Sequence, residues 1–180
     1  MQKKLSGDFW TFPNCISLSR LIFGSPVTIW LCAINYDLVW LVFLFFVATD
    51  WLDGFTARWM NSESSWGMLL DPVADQFFVL PIIWYFWWQA IFPFEVPLAL
   101  SVREAMMIFI RLKAHRNVPA ILTGKLKAVA EYAGIFLILL GNGWIYFGKW
   151  TVVVAMFLAG WSFLRYLQIF AEASDADHRA

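Results

Sequence analysis

Six long apolar runs, separated by short polar or turn-forming segments, divide this sequence. Each run is about 20 residues long, which is the length of helix needed to cross a hydrocarbon core of roughly 30 Å. The pattern therefore predicts six transmembrane helices. The runs cover approximately residues 14–35, 38–58, 67–92, 97–114, 119–140 and 149–171.

The two ends of the chain differ from the apolar runs. Residues 1–12 combine Lys3 and Lys4 with Phe9, Trp10 and Phe12, a composition typical of a short segment that lies in the membrane interface. Residues 173–180 are polar, and we expect them to form a mobile tail.

Composition supports a membrane protein and excludes one class of partner. Hydrophobic residues make up 61% of the 180 residues and charged residues only 14%, against about 25% charged in soluble domains. The length suits a single domain over 1–180. Because the formal net charge is zero, we expect no nucleic-acid partner.

The basic residues predict the orientation of the helices. If both termini are cytoplasmic, all 13 lysines and arginines except Lys149 fall at cytoplasmic ends of the runs. The sequence thus predicts an all-α integral membrane protein with six transmembrane helices, a short N-terminal interfacial segment and both termini in the cytoplasm.

Four carboxylates lie within or against apolar runs, where an unpaired charge is costly. They are Asp50, Asp53, Asp71 and Asp75. With about 100° of rotation per helical residue, Asp50 and Asp53 share one face of the second helix, and Asp71 and Asp75 share one face of the third. The short polar connection over 59–66 makes these helices antiparallel neighbours, so all four acids can converge just inside the cytoplasmic leaflet.

Four neighbouring carboxylates stay ionised only when cations neutralise them. Oxygen ligands favour Mg²⁺, Mn²⁺ or Ca²⁺, and two such ions are a recurring device for phosphoryl transfer. Gly54, Ala57 and Gly67 leave these faces without bulk, so a flat ligand can approach the backbone. Arg58 is placed to hold a phosphate. A cation pathway through the membrane is the alternative that intramembrane acids also permit.

The pattern Asp50-x2-Asp53-Gly54-x2-Ala57-Arg58-x8-Gly67-x3-Asp71-x3-Asp75 is similar to the motif of the CDP-alcohol phosphatidyltransferases. The resemblance implies transfer of a phosphatidyl group from CDP-diacylglycerol to a polar alcohol, with release of CMP. It also implies two Mg²⁺ or Mn²⁺ ions, membrane lipid around the protein and a homodimer. A bacterial inner membrane, with the site facing the cytoplasm, is the expected location.

The same resemblance implies a role for each residue of the motif. Asp50 and Asp71 bridge the two ions, Asp53 completes the shell of one ion, and Asp75 completes the other and takes the proton of the acceptor hydroxyl. Further residues correspond to positions that contact the CDP-lipid: Asn14 and Ser17 near the start of the first helix, then Gly54, Arg58 and Ser64.

Within the family the chain most resembles the phosphatidylglycerophosphate synthases, whose acceptor is glycerol 3-phosphate. Four cations could form a pocket for the acceptor phosphate: Arg103, Arg111, Lys125 and Lys127. Arg111 is equally well explained as a membrane anchor.

Three departures from that branch leave the acceptor open. Gln76, Ala128 and Glu131 stand where the branch usually has lysine, threonine and glutamine. A cardiolipin synthase, or a synthase for another polar alcohol, is therefore the alternative within the family. A divalent-cation transporter and a catalytically silent interaction protein are the alternatives from other classes.

Overall fold

Helices form almost all of the part of the chain that the computed structural model describes, which is residues 19–35, 37–59, 67–114, 122–141 and 143–179. These ranges contain no strand, so the all-α prediction is confirmed for them. A π-helical turn, Arg20–Gly24, runs into α1 (Ser25–Ala33), and α2 (Val39–Trp59), α3 (Gly67–Trp88), α4 (Glu95–Ala114), α5 (Leu122–Leu139) and α6 (Trp144–Arg179) follow.

Left-handed backbone conformations end several of these helices. Asn35 (φ 52°), Ala90 (φ 56°) and Gly141 (φ 72°) follow α1, α3 and α5, as is common at helix C-termini. Pro97 lies in the first turn of α4, where its missing N–H costs nothing. The helices therefore follow the predicted apolar runs to within a few residues at most boundaries.

The last helix differs most from its prediction. It begins at Trp144 and continues to Arg179, although the sequence pattern predicts a start near residue 149 and a polar tail from residue 173. Gly160 is the last glycine of the helix, and no proline follows it. Alanine and charged residues then let the helix continue, because helical propensity does not depend on an apolar face.

Length and apolar character identify one clear membrane-spanning candidate among the described residues. Trp144–Gln168 is long and apolar enough to cross a membrane, whereas Ile22–Ala33 and Val39–Thr49 are apolar but shorter. The prediction of six spans, and of their orientation, stays a prediction. So does the interfacial segment over 1–12, which lies outside the described residues.

Backbone contacts divide the chain into two compact units, Met1–Phe86 and Trp87–Ala180. This division describes local compactness and does not test the prediction of a single domain over 1–180, which stays a prediction.

In the first unit, aromatic packing fixes how α2 and α3 pair. Phe78 stacks on Phe43 at a centroid distance of 5.4 Å and lies 5.9 Å from Phe46. If the helices were parallel, Trp59 and Gly67 would be about 36 Å apart at about 1.5 Å per residue. Eight peptide links span at most about 29 Å. The helices are therefore antiparallel, as the sequence predicts.

In the second unit, glycines let α5 and α6 approach closely. A Cβ atom at Gly148 would lie 2.7 Å from the carbonyl oxygen of Gly134 and 2.9 Å from the backbone N of Ile138. Gly134 in turn packs against Val152. Small residues at such a crossing bring two helix backbones together and increase their van der Waals contact.

The Gly148→Ala variant tests this packing. Because the new methyl group would meet backbone atoms that cannot move aside, we expect about 1–3 kcal/mol of destabilisation. Gly160→Ala is the matched control, since none of the residues that the structure describes lies within 4 Å of a Cβ there and alanine favours a helix. Thermal unfolding in detergent should rank Gly148→Ala below the wild type and Gly160→Ala level with it or above. Equal melting temperatures for the two variants would contradict the close approach.

Candidate active site

The aromatic pairing of α2 and α3 sets the level of the four predicted acids along the two helices. Asp50 follows Phe46 by about 6 Å along the axis, and Asp75 precedes Phe78 by about 4.5 Å. Asp53 and Asp71 are both about 10 Å beyond the same aromatic contact. Because the helices are antiparallel, the backbone carries two acids from each helix at matching levels, near the ends joined by residues 60–66.

Asp75 is the one member of the four whose side chain the structure describes. Its carboxylate accepts a hydrogen bond from Arg20, with 2.8 Å between Nη2 and Oδ1. The two partners differ in access to their surroundings: the Arg20 side chain is 1% exposed and the Asp75 side chain 35%. A buried, permanently charged group thus holds an accessible carboxylate.

The first helical segment is tied to α3 next to this ion pair. Ser25 Oγ donates a hydrogen bond to the carbonyl oxygen of Phe77 at 3.1 Å. Gly24 packs against the Phe78 ring, which a Cβ atom would approach to 2.7 Å. Arg20 meets Asp75, and the later residues Gly24 and Ser25 meet the later residues Phe78 and Phe77. The two helical segments therefore run parallel, and this packing fixes Arg20 at the level of Asp75.

The other residues predicted to contact the CDP-lipid fall into two groups. The last turns of α2 carry Gly54, Ala57 and Arg58, and α3 begins at Gly67; only their places on the helices are described. Asn14, Ser17 and Ser64 lie outside the described residues.

The donor chemistry of the acids fits divalent cations. Carboxylate oxygens are the ligands that Mg²⁺ and Mn²⁺ prefer, and the stretch from Asp50 to Asp75 contains no histidine or cysteine, which zinc would favour. Among the side chains that the structure describes, no three acidic, histidine or cysteine residues group as a metal site, because only Asp75 of the four acids is in that set.

The second unit contains a buried cluster of four charged side chains from α4 and α5. Lys127 Nζ lies 2.8 Å from Glu104 Oε1 and 2.7 Å from Glu131 Oε2. Arg103 Nη1 also donates to Glu104 Oε1 at 2.5 Å. Lys127, Glu104 and Glu131 are all buried. Two cations and two carboxylates balance, so the cluster carries no net charge.

The four cations predicted to bind the acceptor are in different environments. Lys127 is buried between two carboxylates, whereas Lys125 is exposed. Arg103 is nearly buried, and its Nε has no hydrogen-bond partner among the residues that the structure describes. Arg111 lies near the end of α4, and its side chain is not among those that the structure describes.

Three participants in these contacts were not among the predicted site residues. Arg20 was counted only among the cytoplasmic cations, although an arginine inside an apolar run needs an anionic partner. Glu131 follows Lys127 by four residues, a spacing that brings side chains together on a helix. Glu104 shows no comparable local signal toward Lys127, since its partner is on another helix.

Comparison with known proteins adds an independent finding. Residues 10–161 match the family model of the CDP-alcohol phosphatidyltransferases. A cardiolipin synthase (CMP-forming) of Streptomyces coelicolor is 34% identical over 84% of this chain and 75% of its own length.

Two similar proteins carry another name, CDP-diacylglycerol–glycerol-3-phosphate 3-phosphatidyltransferase. The protein from Blochmanniella floridana is 26% identical over 88% of this chain and 90% of its own length. The one from Escherichia coli is 32% identical over 71% of this chain and 75% of its own length.

Proposed function

Because the chain belongs to the CDP-alcohol phosphatidyltransferase family, we propose that it transfers the phosphatidyl group of CDP-diacylglycerol to a polar alcohol and releases CMP. The observation that carries the proposal is the level of the acids: the pairing of Phe46 with Phe78 aligns Asp50 and Asp53 with Asp71 and Asp75. Four carboxylates at one depth suit a lipid-linked pyrophosphate whose charge is offset by cations.

Two divalent ions, Mg²⁺ or Mn²⁺, are the proposed cofactors. Asp50 and Asp71 would hold both ions, Asp53 one of them and Asp75 the other. When bound, such ions offset the charge that develops on the attacking and leaving oxygens. Arg58 would contact the CDP-lipid phosphates, and Gly54, Ala57 and Gly67 would leave room for the nucleotide against the helix backbones.

Asp75 is the proposed base of the reaction. Its carboxylate takes the proton of the acceptor hydroxyl as that oxygen bonds to the phosphorus nearer the diacylglycerol. The bond from this phosphorus to the bridging oxygen breaks, and CMP leaves with the electron pair. The partial exposure of Asp75 supports this role, because a base must be reachable by the acceptor.

Glycerol 3-phosphate is the proposed acceptor. Arg103 supports this choice, since its Nε is a buried donor without a partner among the described residues and a phosphate accepts such donors well. Lys125 is exposed and available to a soluble anion. Arg111 and Lys127 complete the proposed set of acceptor contacts, with Lys127 already engaged by two carboxylates.

A second candidate, cardiolipin synthesis from phosphatidylglycerol, is favoured by one observation. Glu131 neutralises part of the charge of Lys127 at 2.7 Å, so less positive charge remains for a doubly charged phosphate. The acceptor phosphate of phosphatidylglycerol is a diester with a single negative charge. Gln76 and Ala128 are the other two departures that bear on the acceptor.

We place the protein in a bacterial inner membrane, with six spans, both termini in the cytoplasm and the site facing the cytoplasm. The exposed aromatic surface supports the membrane location: Phe109 is 62% exposed and Phe157 is 75% exposed, and lipid tails would cover such side chains. A homodimer is expected from the family resemblance.

The decisive experiment measures CMP release from radiolabelled CDP-diacylglycerol by the purified protein, with thin-layer identification of the lipid product. Glycerol 3-phosphate, phosphatidylglycerol and other polar alcohols are offered one at a time, with Mg²⁺, Mn²⁺ or a chelator. We expect product with glycerol 3-phosphate, complete loss with chelator and recovery when the ion is restored.

The outcomes separate the candidates. Product from phosphatidylglycerol alone would select cardiolipin synthesis. No CMP release with any acceptor, together with divalent-ion flux into liposomes that lack CDP-lipid, would select the transporter. If the protein shows neither CMP release nor ion flux, the remaining candidate is an interaction protein of the same fold.

A further inference from the structure

We propose that Arg20 is a positioning residue for the reaction: it holds the Asp75 carboxylate in the orientation that the attacking hydroxyl needs. The inference rests on the proposed function, because it gives Arg20 a role that acts through the proposed base. The inference adds Arg20 to the residues that serve the reaction, whereas the sequence pattern explains Arg20 only as one of the cytoplasmic cations.

The ion pair itself carries the first step. Arg20 Nη2 donates to Asp75 Oδ1 at 2.8 Å, across 55 residues of chain. Because the arginine side chain is 1% exposed, it cannot contact a soluble acceptor directly. Asp75, whose side chain is 35% exposed, is an accessible group through which Arg20 can act on the acceptor.

The chemistry of arginine suits this role. A guanidinium stays protonated at any physiological pH, so it cannot compete with Asp75 for the proton of the acceptor. The N–H that meets Asp75 Oδ1 belongs to a rigid planar group, so its direction is better defined than that of an N–H on a rotating ammonium group. A water molecule could donate the same hydrogen bond, but it would not hold the carboxylate in one orientation.

The backbone around Arg20 is built to keep it in place. Arg20 begins a π-helical turn, a distortion that changes which direction side chains point and that is frequent at functional sites. Gly24, at the end of the turn, packs against both Phe78 and the Cγ atom of Arg20. Thr28 Oγ1 donates to the carbonyl oxygen of Gly24, four residues earlier, at 2.8 Å; such a bond from a threonine back onto its own helix often bends the helix.

A simpler role must be separated from positioning: Arg20 could serve only to dock the first helical segment on α3. Ser25 provides the control for that role. Its hydroxyl joins the same two helical segments through the carbonyl oxygen of Phe77, and within the described part of the chain it makes no hydrogen bond to Asp75. A docking role predicts similar consequences for loss of either bond.

The kinetic test compares Arg20→Gln, Arg20→Lys and Ser25→Ala with the wild type in the CMP-release assay. We expect Arg20→Gln to lower kcat about 30-fold while KM for CDP-diacylglycerol changes less than about 3-fold, because a misplaced base affects the transition state and not ground-state binding. Arg20→Lys should recover part of the rate, since it restores a charged donor. Ser25→Ala should stay within about 3-fold of the wild type in kcat.

A stability cycle provides a readout that does not need activity. Melting temperatures in detergent are compared for the wild type, Arg20→Gln, Asp75→Ala and the double variant, because alanine removes the acceptor of the bond entirely. If the two side chains interact, the double variant loses less than the sum of the two single losses. Additive losses would overturn the pairing on which the proposal stands.

The remaining outcomes are also distinct. CMP release by the wild type with an unchanged kcat in Arg20→Gln would defeat the positioning role and leave the proposed function standing. Parallel losses in Arg20→Gln and Ser25→Ala, each matching its loss of stability, would reduce Arg20 to docking. Absence of CMP release from the stable wild type with every acceptor would defeat the proposed function, and the positioning role with it.

Discussion

The Asp75→Asn variant is expected to release CMP from CDP-diacylglycerol at least about 1,000-fold more slowly than the wild type. An amide cannot take the proton of the acceptor hydroxyl, and it is a weaker ligand for a divalent ion than a carboxylate. The amide oxygen can still accept the hydrogen bond from Arg20, which lies 2.8 Å from Oδ1 in the wild type. Neutralising Asp75 also leaves the buried charge of Arg20 less well compensated, so CMP release is compared at a temperature where thermal unfolding shows that the variant is folded.

Asp37→Asn is the matched control for this prediction. It makes the same chemical change at an exposed turn between α1 and α2, and we expect wild-type CMP release from it. Thermal unfolding of both variants checks that the fold is intact. Asp75→Asn activity above about a tenth of the wild-type value would contradict the role of Asp75, because a general base alone contributes at least about 100-fold.

The second large effect is expected in stability. Lys127→Met should destabilise the protein by about 3–5 kcal/mol, because removal of one partner leaves buried charges without compensation. Lys127 is 3% exposed and lies within 2.8 Å of carboxylate oxygens from both Glu104 and Glu131. Methionine has a similar length but no charge, so the change isolates the ionic contribution. Chemical or thermal unfolding in detergent measures the difference.

Lys125→Met provides the comparison within the same turn of α5. Lys125 is exposed, and loss of an exposed charge typically changes stability by less than about 0.5 kcal/mol. The double variant Lys127→Met with Glu131→Gln should recover part of the lost stability, since it removes one of the two uncompensated carboxylates. If Lys127→Met and Lys125→Met were equally stable, the buried cluster would not hold α4 and α5 together.

This cluster also bears on how the acceptor is chosen. Arg103 and Lys127 were both predicted to contact the acceptor phosphate, but their surroundings differ. Lys127 is flanked by two carboxylates, whereas Arg103 has one bond to Glu104 and an Nε without a partner among the described residues. Arg103 is thus the better placed of the two to donate to a phosphate, and the acceptor prediction itself awaits the lipid assay.

Much of the architecture follows from local sequence alone. Apolar runs of about 20 residues, ended by glycine, proline or asparagine near residues 35, 93 and 141, predicted the helices that the structure describes. The spacing of Asp50, Asp53, Asp71 and Asp75 placed two acids on one face of each helix, since helical rotation is the same in every context. The prediction of a mobile tail from residue 173 was wrong, because it took the polar residues as the end of the helix. In the structure α6 continues to Arg179 through residues that favour helix formation.

Partner choice was decided only by the tertiary structure. Which side chain meets Arg20 or Lys127 depends on the rotation and axial register of whole helices, and these are set by packing such as Phe78 on Phe43 and Gly148 on Gly134. Helical periodicity contains no information about either quantity between separate helices. The sequence therefore determined which residues are charged, which are small and which share a face. Packing determined that Arg20 faces Asp75 and that Lys127 meets Glu104 of another helix, because a buried charge is stable only where the fold supplies an opposite one.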